Sequence, residues 1–172
     1  MATDKLRRRK LSHEVTRCIV TYISNELWLI QTLIDIVSEA YSSSTKSCEL
    51  AEIIQEIRIK LHNHDSAFYG AILKQIHVLS HPILEHVLTL LPALDTFFKR
   101  LELAVEEEDL NSMTRILAYE GRAVVNMSWR GLGTICEGAK NRKGVKKYAR
   151  EAREDCERVF VELRRLEERG MQ

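Results

Sequence analysis

Five of the six histidines, His62, His64, His77, His81 and His86, fall within 25 residues. Histidine is the side chain most often used to hold a transition metal or to move a proton near neutral pH. His77, His81 and Glu85 repeat at i, i+4 and i+8, so an uninterrupted helix would set all three on one face. Pro82 stands inside that spacing and interrupts it. A di-iron bundle also needs Glu-x-x-His pairs on two helices, and no second pair complements Glu85 with its adjacent His86. The ligand set is incomplete, which predicts structural or surface histidines and no metal site.

The stretch GTICEGAK, residues 133–140, has the glycine spacing of a phosphate-binding loop at Gly133 and Gly138. Ala139 separates the second glycine from Lys140, and Asn141 stands where a hydroxyl side chain would meet magnesium. Such a loop follows a β-strand, whereas this one follows a helical pattern. A joint between helices accounts for the same residues, with Gly138 ending one helix and Asn141 capping the next. No nucleophile-elbow context surrounds any serine, and Cys18, Cys48, Cys136 and Cys156 form no C-x-x-C pair. Cys18, Cys136 and Cys156 fit apolar helix faces and read as packing residues. Together these features predict a non-enzymatic protein with no cofactor and no small-molecule substrate.

A net charge of +1 conceals strong segregation. Residues 1–10 carry five basic side chains against one acidic, and residues 140–153 carry seven against one, while residues 11–139 are net −7. Arg7, Arg8 and Arg9 near the start, with Lys143, Lys146, Lys147 and Arg150 in the later segment, form a candidate anion-binding patch for nucleic acid or anionic lipid. Basic residues at a helix N-terminus oppose the macrodipole, so an anionic partner would relieve an unfavourable arrangement. Tyr148 alone interleaves with these cations, which argues against single-strand binding by base stacking.

The elements that must position these residues are helical. In residues 15–41, Ile19, Ile23, Leu27, Ile30, Ile34 and Val37 make a wide apolar face, and Trp28, on the polar stripe, is either an exposed aromatic or a second packing contact, of which the second is expected. Further stripes are Leu50 to Leu61, Phe68 to Leu79, and Ile83 to Val105, where Pro92 predicts a kink or a split. The next helix starts near Asp109 and carries Met113, Leu117, Gly121, Val124, Ser128, Leu132 and Ile135. Val145, Ala149, Ala152, Cys156, Val159, Leu163 and Leu166 then follow an a/d spacing through three heptads. No segment alternates as a strand. The sequence predicts an all-α, single-domain antiparallel helical bundle of about six or seven helices with a long C-terminal heptad-patterned helix; residues 1–12 read as a basic tail and 13–172 as the bundle.

Residues 141–159, through Arg142, Lys143, Val145 and Lys147, resemble the last helix of the BAG chaperone-regulator domain, and Arg150 departs from that family's pattern. The likeness spans about 20 of 172 residues. Small residues lead the seam and large ones end it, so Val145 to Cys156 is expected to pack internally and Val159, Leu163 and Leu166 to form a candidate partner seam. The function expected is protein–protein interaction as an adaptor, regulator or assembly module, including self-association; the alternative is docking of the basic segments on anionic membrane or nucleic acid. Reduced thiols, the lack of a cleavable signal sequence, and the polar residues Asn25, Glu26, Gln31 and Asp35 within the most apolar window predict an intracellular protein, cytoplasmic or nuclear, without a transmembrane helix.

Overall fold

The computed structural model describes residues 2–42, 47–62, 64, 66–138 and 143–170. It is an all-α bundle with no strand among the described residues. The helices are α1 (Ala2–Ser42), α2 (Ser47–His62), α3 (Ser66–Gln75), α4 (His81–Glu106), α5 (Leu110–Arg115), α6 (Arg122–Gly138) and α7 (Lys143–Gly170). A 3-10 turn, Ile76–Val78, follows α3, and a π-helical turn, Ile116–Gly121, joins α5 to α6 in one continuous rod.

Burial follows the helical period. All six residues of the apolar face in α1 are core residues, joined by Val20, Leu29, Leu33 and Ile36. The helix therefore buries two faces, one towards α7 and one towards α2. Trp28 lies on the ridge between them and is 65% exposed, which corrects the expected second packing contact. Residues 2–12, read as a tail, continue α1 as helix, and residues 4–10 are all exposed.

Pro82 lies in the first turn of α4, where a missing N–H costs nothing. Pro92 does not split α4: it is exposed, so the lost hydrogen bond faces water. At the end of α4 the Asp109 N–H donates to the Ala104 carbonyl at 3.1 Å and the Glu108 N–H to that of Val105 at 3.2 Å. This pair of bonds is a Schellman motif, and it sets Glu108 at φ 54°. Asp109 then caps α5, its carboxylate accepting from the Ser112 N–H at 3.0 Å.

The rod of α5 and α6 lies close to α7. A Cβ added at Gly121 would sit 3.4 Å from Leu163 and 3.6 Å from Phe97, ordinary van der Waals contact, so this position of the rod faces both side chains. Every position of the heptad seam in α7, from Val145 to Leu166, is buried. Its narrow stripe serves contacts with α1 and α6 within the chain.

Side-chain contacts fix the helix directions. Trp129 of α6 donates to Glu157 of α7 at 3.0 Å, Arg122 pairs with Glu167, and Cys136 lies beside the Lys146 carbonyl, so α6 and α7 are antiparallel. Gly138 of α6 faces Ile83, Gly131 faces His86, and Glu120 in the π-helical turn pairs with Arg100, so α4 and the α5–α6 rod are antiparallel too. By contrast, α1 and α7 are parallel: Leu27 and Trp28 share a cleft with Asp155 and Val159, and Tyr41 shares another with Leu166 and Glu167. Helices α1, α4 and α7 thus start at the same end of the bundle. The segment α2, α3 and the 3-10 turn is the crossover that returns the chain to that end.

Candidate functional site

The shared direction of α1 and α7 brings together two basic segments separated by about 130 residues in the sequence. With Leu27 level with Val159, a rise of 1.5 Å per residue puts the first turn of α7 beside roughly residues 11–14 of α1. Lys10 therefore lies about level with the start of α7, and Lys5 projects about one and a half turns past it. Lys5, Arg7, Arg8, Arg9 and Lys10 are exposed, and so are Lys146, Lys147 and Arg150. Of these, Lys147 reaches Glu151 at 3.8 Å, an exposed i,i+4 pair of little strength. The backbone of Lys143 opens α7, while the joint at residues 139–142, including the predicted cap Asn141, lies outside the described residues.

Helix dipoles reinforce the side-chain charge. Each long helix carries about half a positive elementary charge at its N-terminus, and α1, α4 and α7 all present that terminus at this end. Seven basic residues within 140–153 would repel this field, yet Arg153 is turned away. Its guanidinium lies 3.9 Å from the centroid of the Trp129 ring, on the flank where α7 meets α6. Lys146, Lys147 and Arg150 face solvent.

The predicted partner seam is corrected by burial. Val159 is 3% exposed and Leu163 and Leu166 are wholly buried, so these residues are core rather than docking surface. Large aliphatic side chains near a chain end pointed inward because α1 runs alongside the whole of α7 and covers them. Cys18 is exposed, contrary to its expected place on an apolar face, whereas Cys156 is buried and its thiol is pushed up to about 12 by loss of hydration. His77 sits in the 3-10 turn and His81 opens α4, so the i, i+4, i+8 spacing crosses a change of helix type. Among the described residues no group of three or more His, Cys, Asp and Glu side chains is placed to hold a metal ion.

One buried pair was not legible as a unit in the sequence. Glu26 of α1 and His64, between α2 and α3, meet with Oε2 and Nδ1 3.0 Å apart, their side chains 6% and 5% exposed. The signal available was the carboxylate itself: Ile19, Ile23, Glu26 and Ile30 recur at core spacing, so Glu26 had to be buried and needed a partner. No helix among the described residues is long and apolar enough to cross a membrane. No protein-family model, curated protein or solved structure matches the chain significantly.

Proposed function

We propose that the protein is a non-enzymatic binding module that docks on duplex nucleic acid through the basic end where α1 and α7 begin. The observation that carries this reading is the convergence of two exposed cationic segments, with three helix N-termini behind them, at one end of the bundle. At 100° per residue, Lys5, Arg7, Arg8, Arg9 and Lys10 are distributed all round α1. A helix ringed with cations suits a groove walled by phosphates on both sides. A planar membrane surface meets one face only, and an interfacial helix needs an apolar face; residues 4–10 offer Leu6 alone. Salt-dependent binding is the direct test. Anisotropy of a labelled duplex should show an affinity falling steeply with salt, and Arg7, Arg8 and Arg9 replaced by Gln should flatten that dependence by about 0.9 logarithmic units per lost phosphate contact. Binding to phosphatidylserine vesicles in preference to duplex, or a salt slope unchanged in the triple variant, would overturn the assignment.

A protein-binding role is the second reading, and it rests on Trp28. This exposed indole stands between one cleft shared with Asp155, Arg158 and Val159 of α7 and another shared with Lys60 and His64. Tryptophan is among the residues enriched at the energetic centres of protein interfaces. If this face binds a protein, Trp28→Ala should abolish recovery of that partner without lowering thermal stability. Partner recovery unaffected by the substitution would remove this reading.

A further inference from the structure

The Glu26–His64 pair closes a flap. Helix α2 packs on α1 and α4, and α3 packs on α1 and the 3-10 turn, so the crossover covers one flank of the bundle and adds Ile54, Ile57, Leu61 and Ile72 to its core. His64 is its pin. The imidazole enters the bundle between two long helices, with Nδ1 on the Glu26 carboxylate of α1 and its ring stacked on Phe98 of α4, centroids 4.4 Å apart. The His64 N–H also accepts the role of ending α2, donating to the Leu61 carbonyl at 2.9 Å.

We infer that His64 and Glu26 form a proton-controlled latch, closing the α2–α3 crossover onto α1 and α4 when the imidazole is charged and releasing it when the imidazole is neutral. The cost of each state decides the direction. With imidazolium present, the buried carboxylate has an opposite charge at hydrogen-bond distance; with neutral imidazole, a buried anion keeps only a weak partner. Among the described residues Nε2 is buried without a hydrogen-bond partner, so Glu26 supplies the ring's hydrogen bond, and Phe98 presents a face on which a cation is favoured over a neutral ring.

The charges around the ring support the same direction. Burial opposes protonation of His64, but the hydrogen bond and charge of Glu26, with Glu102 and Asp95 of α4 further out, outweigh it and hold the imidazole above its usual value. Asp95 is itself paired with Lys99 at 2.7 Å, which leaves Glu26 as the dominant partner. Lys60 of α2 lines the same cleft as His64 and, among the described residues, is the cation that faces this site from the crossover side; His62 ends α2 and is exposed. Release would uncover the apolar contacts of Ile54, Ile57, Leu61 and Ile72, all buried when the flap is closed.

Amide hydrogen exchange between pH 5.5 and 8.5, corrected for intrinsic rates, reads the latch directly. Peptides from residues 47–75 should lose protection as pH rises through the titration of His64, while peptides from α6 and α7 should not. In His64→Gln and in Glu26→Gln the protection of this segment should be lower and its pH dependence lost. An NMR titration of the wild-type imidazole supplies a second readout that needs no variant, so a substitution that fails to fold leaves the test intact. A His64 titration at or below 6.5, or protection of 47–75 that is flat with pH in the wild type or still pH-dependent in His64→Gln, would overturn the latch.

Discussion

Arg153 lies over the indole of Trp129 with its guanidinium carbon 3.9 Å from the ring centroid, and the same indole donates its N–H to Glu157 at 3.0 Å. One aromatic ring thus ties two turns of α7 to α6 and takes one cation out of the basic end. A contrast between neighbouring arginines follows. Arg153→Ala should lower stability by about 1 kcal/mol in denaturant unfolding and leave the salt dependence of duplex binding unchanged. Arg150→Ala, at an exposed position, should do the reverse: unchanged unfolding and a reduced salt slope. Identical behaviour of the two variants would show that burial does not separate their roles.

The core position of the late heptad seam makes a strong prediction. Leu163 is fully buried beside Gly121, so Leu163→Ala should cost about 2–5 kcal/mol in urea unfolding of the isolated protein. Leu163→Asp and Ala152→Asp should both prevent cooperative folding, because each buries an unpaired charge. A Leu163→Asp protein that melts like the wild type would place this seam at a surface.

Glu108 occupies a left-handed position that favours glycine, at φ 54° in the Schellman turn between α4 and α5. Its side chain is exposed and the backbone bonds of the turn do not use it. Glu108→Gly should therefore stabilise the protein by about 1 kcal/mol, raising Tm by about 2–4 °C for a chain of this size. A lowered Tm on calorimetry would mean that the turn depends on the carboxylate.

Thiol chemistry should divide by burial. In native protein a thiol reagent should modify Cys18 before Cys136, and Cys156 only on unfolding, since the first is exposed, the second half-buried, and the third buried with its thiol raised to about 12. Mass spectrometry of peptides after brief labelling reads the order. Labelling of Cys156 at the rate of Cys18 would contradict the packing of α7.

Stability should also carry the sign of the His64 titration. Its folded-state value lies above the ordinary 6.5, so its contribution is complete below that pH and is lost as pH rises through the folded value. The difference in unfolding free energy between wild type and His64→Gln should therefore be greatest in the mildly acidic range and shrink towards alkaline pH. A difference that grows with pH would reverse the assignment of charge.

The sequence by itself determined the fold class and most of the core. Positions spaced at the helical period are the buried ones, from Ile19 through Val37 in α1 and from Val145 through Leu166 in α7, because a helix can bury a stripe only at that spacing. It also located both cationic segments, since charge needs no neighbours to be counted. Tertiary structure alone decided what each stripe faces: periodicity is the same for a seam that meets α1 and one that meets another protein, so the burial of Leu163 and Leu166 could not be read from it. The exposure of Trp28 and Cys18 depended on where α7 and α2 settle against α1. The meeting of Glu26 with His64 and the parallel course of α1 and α7 are long-range facts set by the crossover. They place a buried charge beside its counter-charge and two cationic segments at one end, and neither relation exists until the chain has packed.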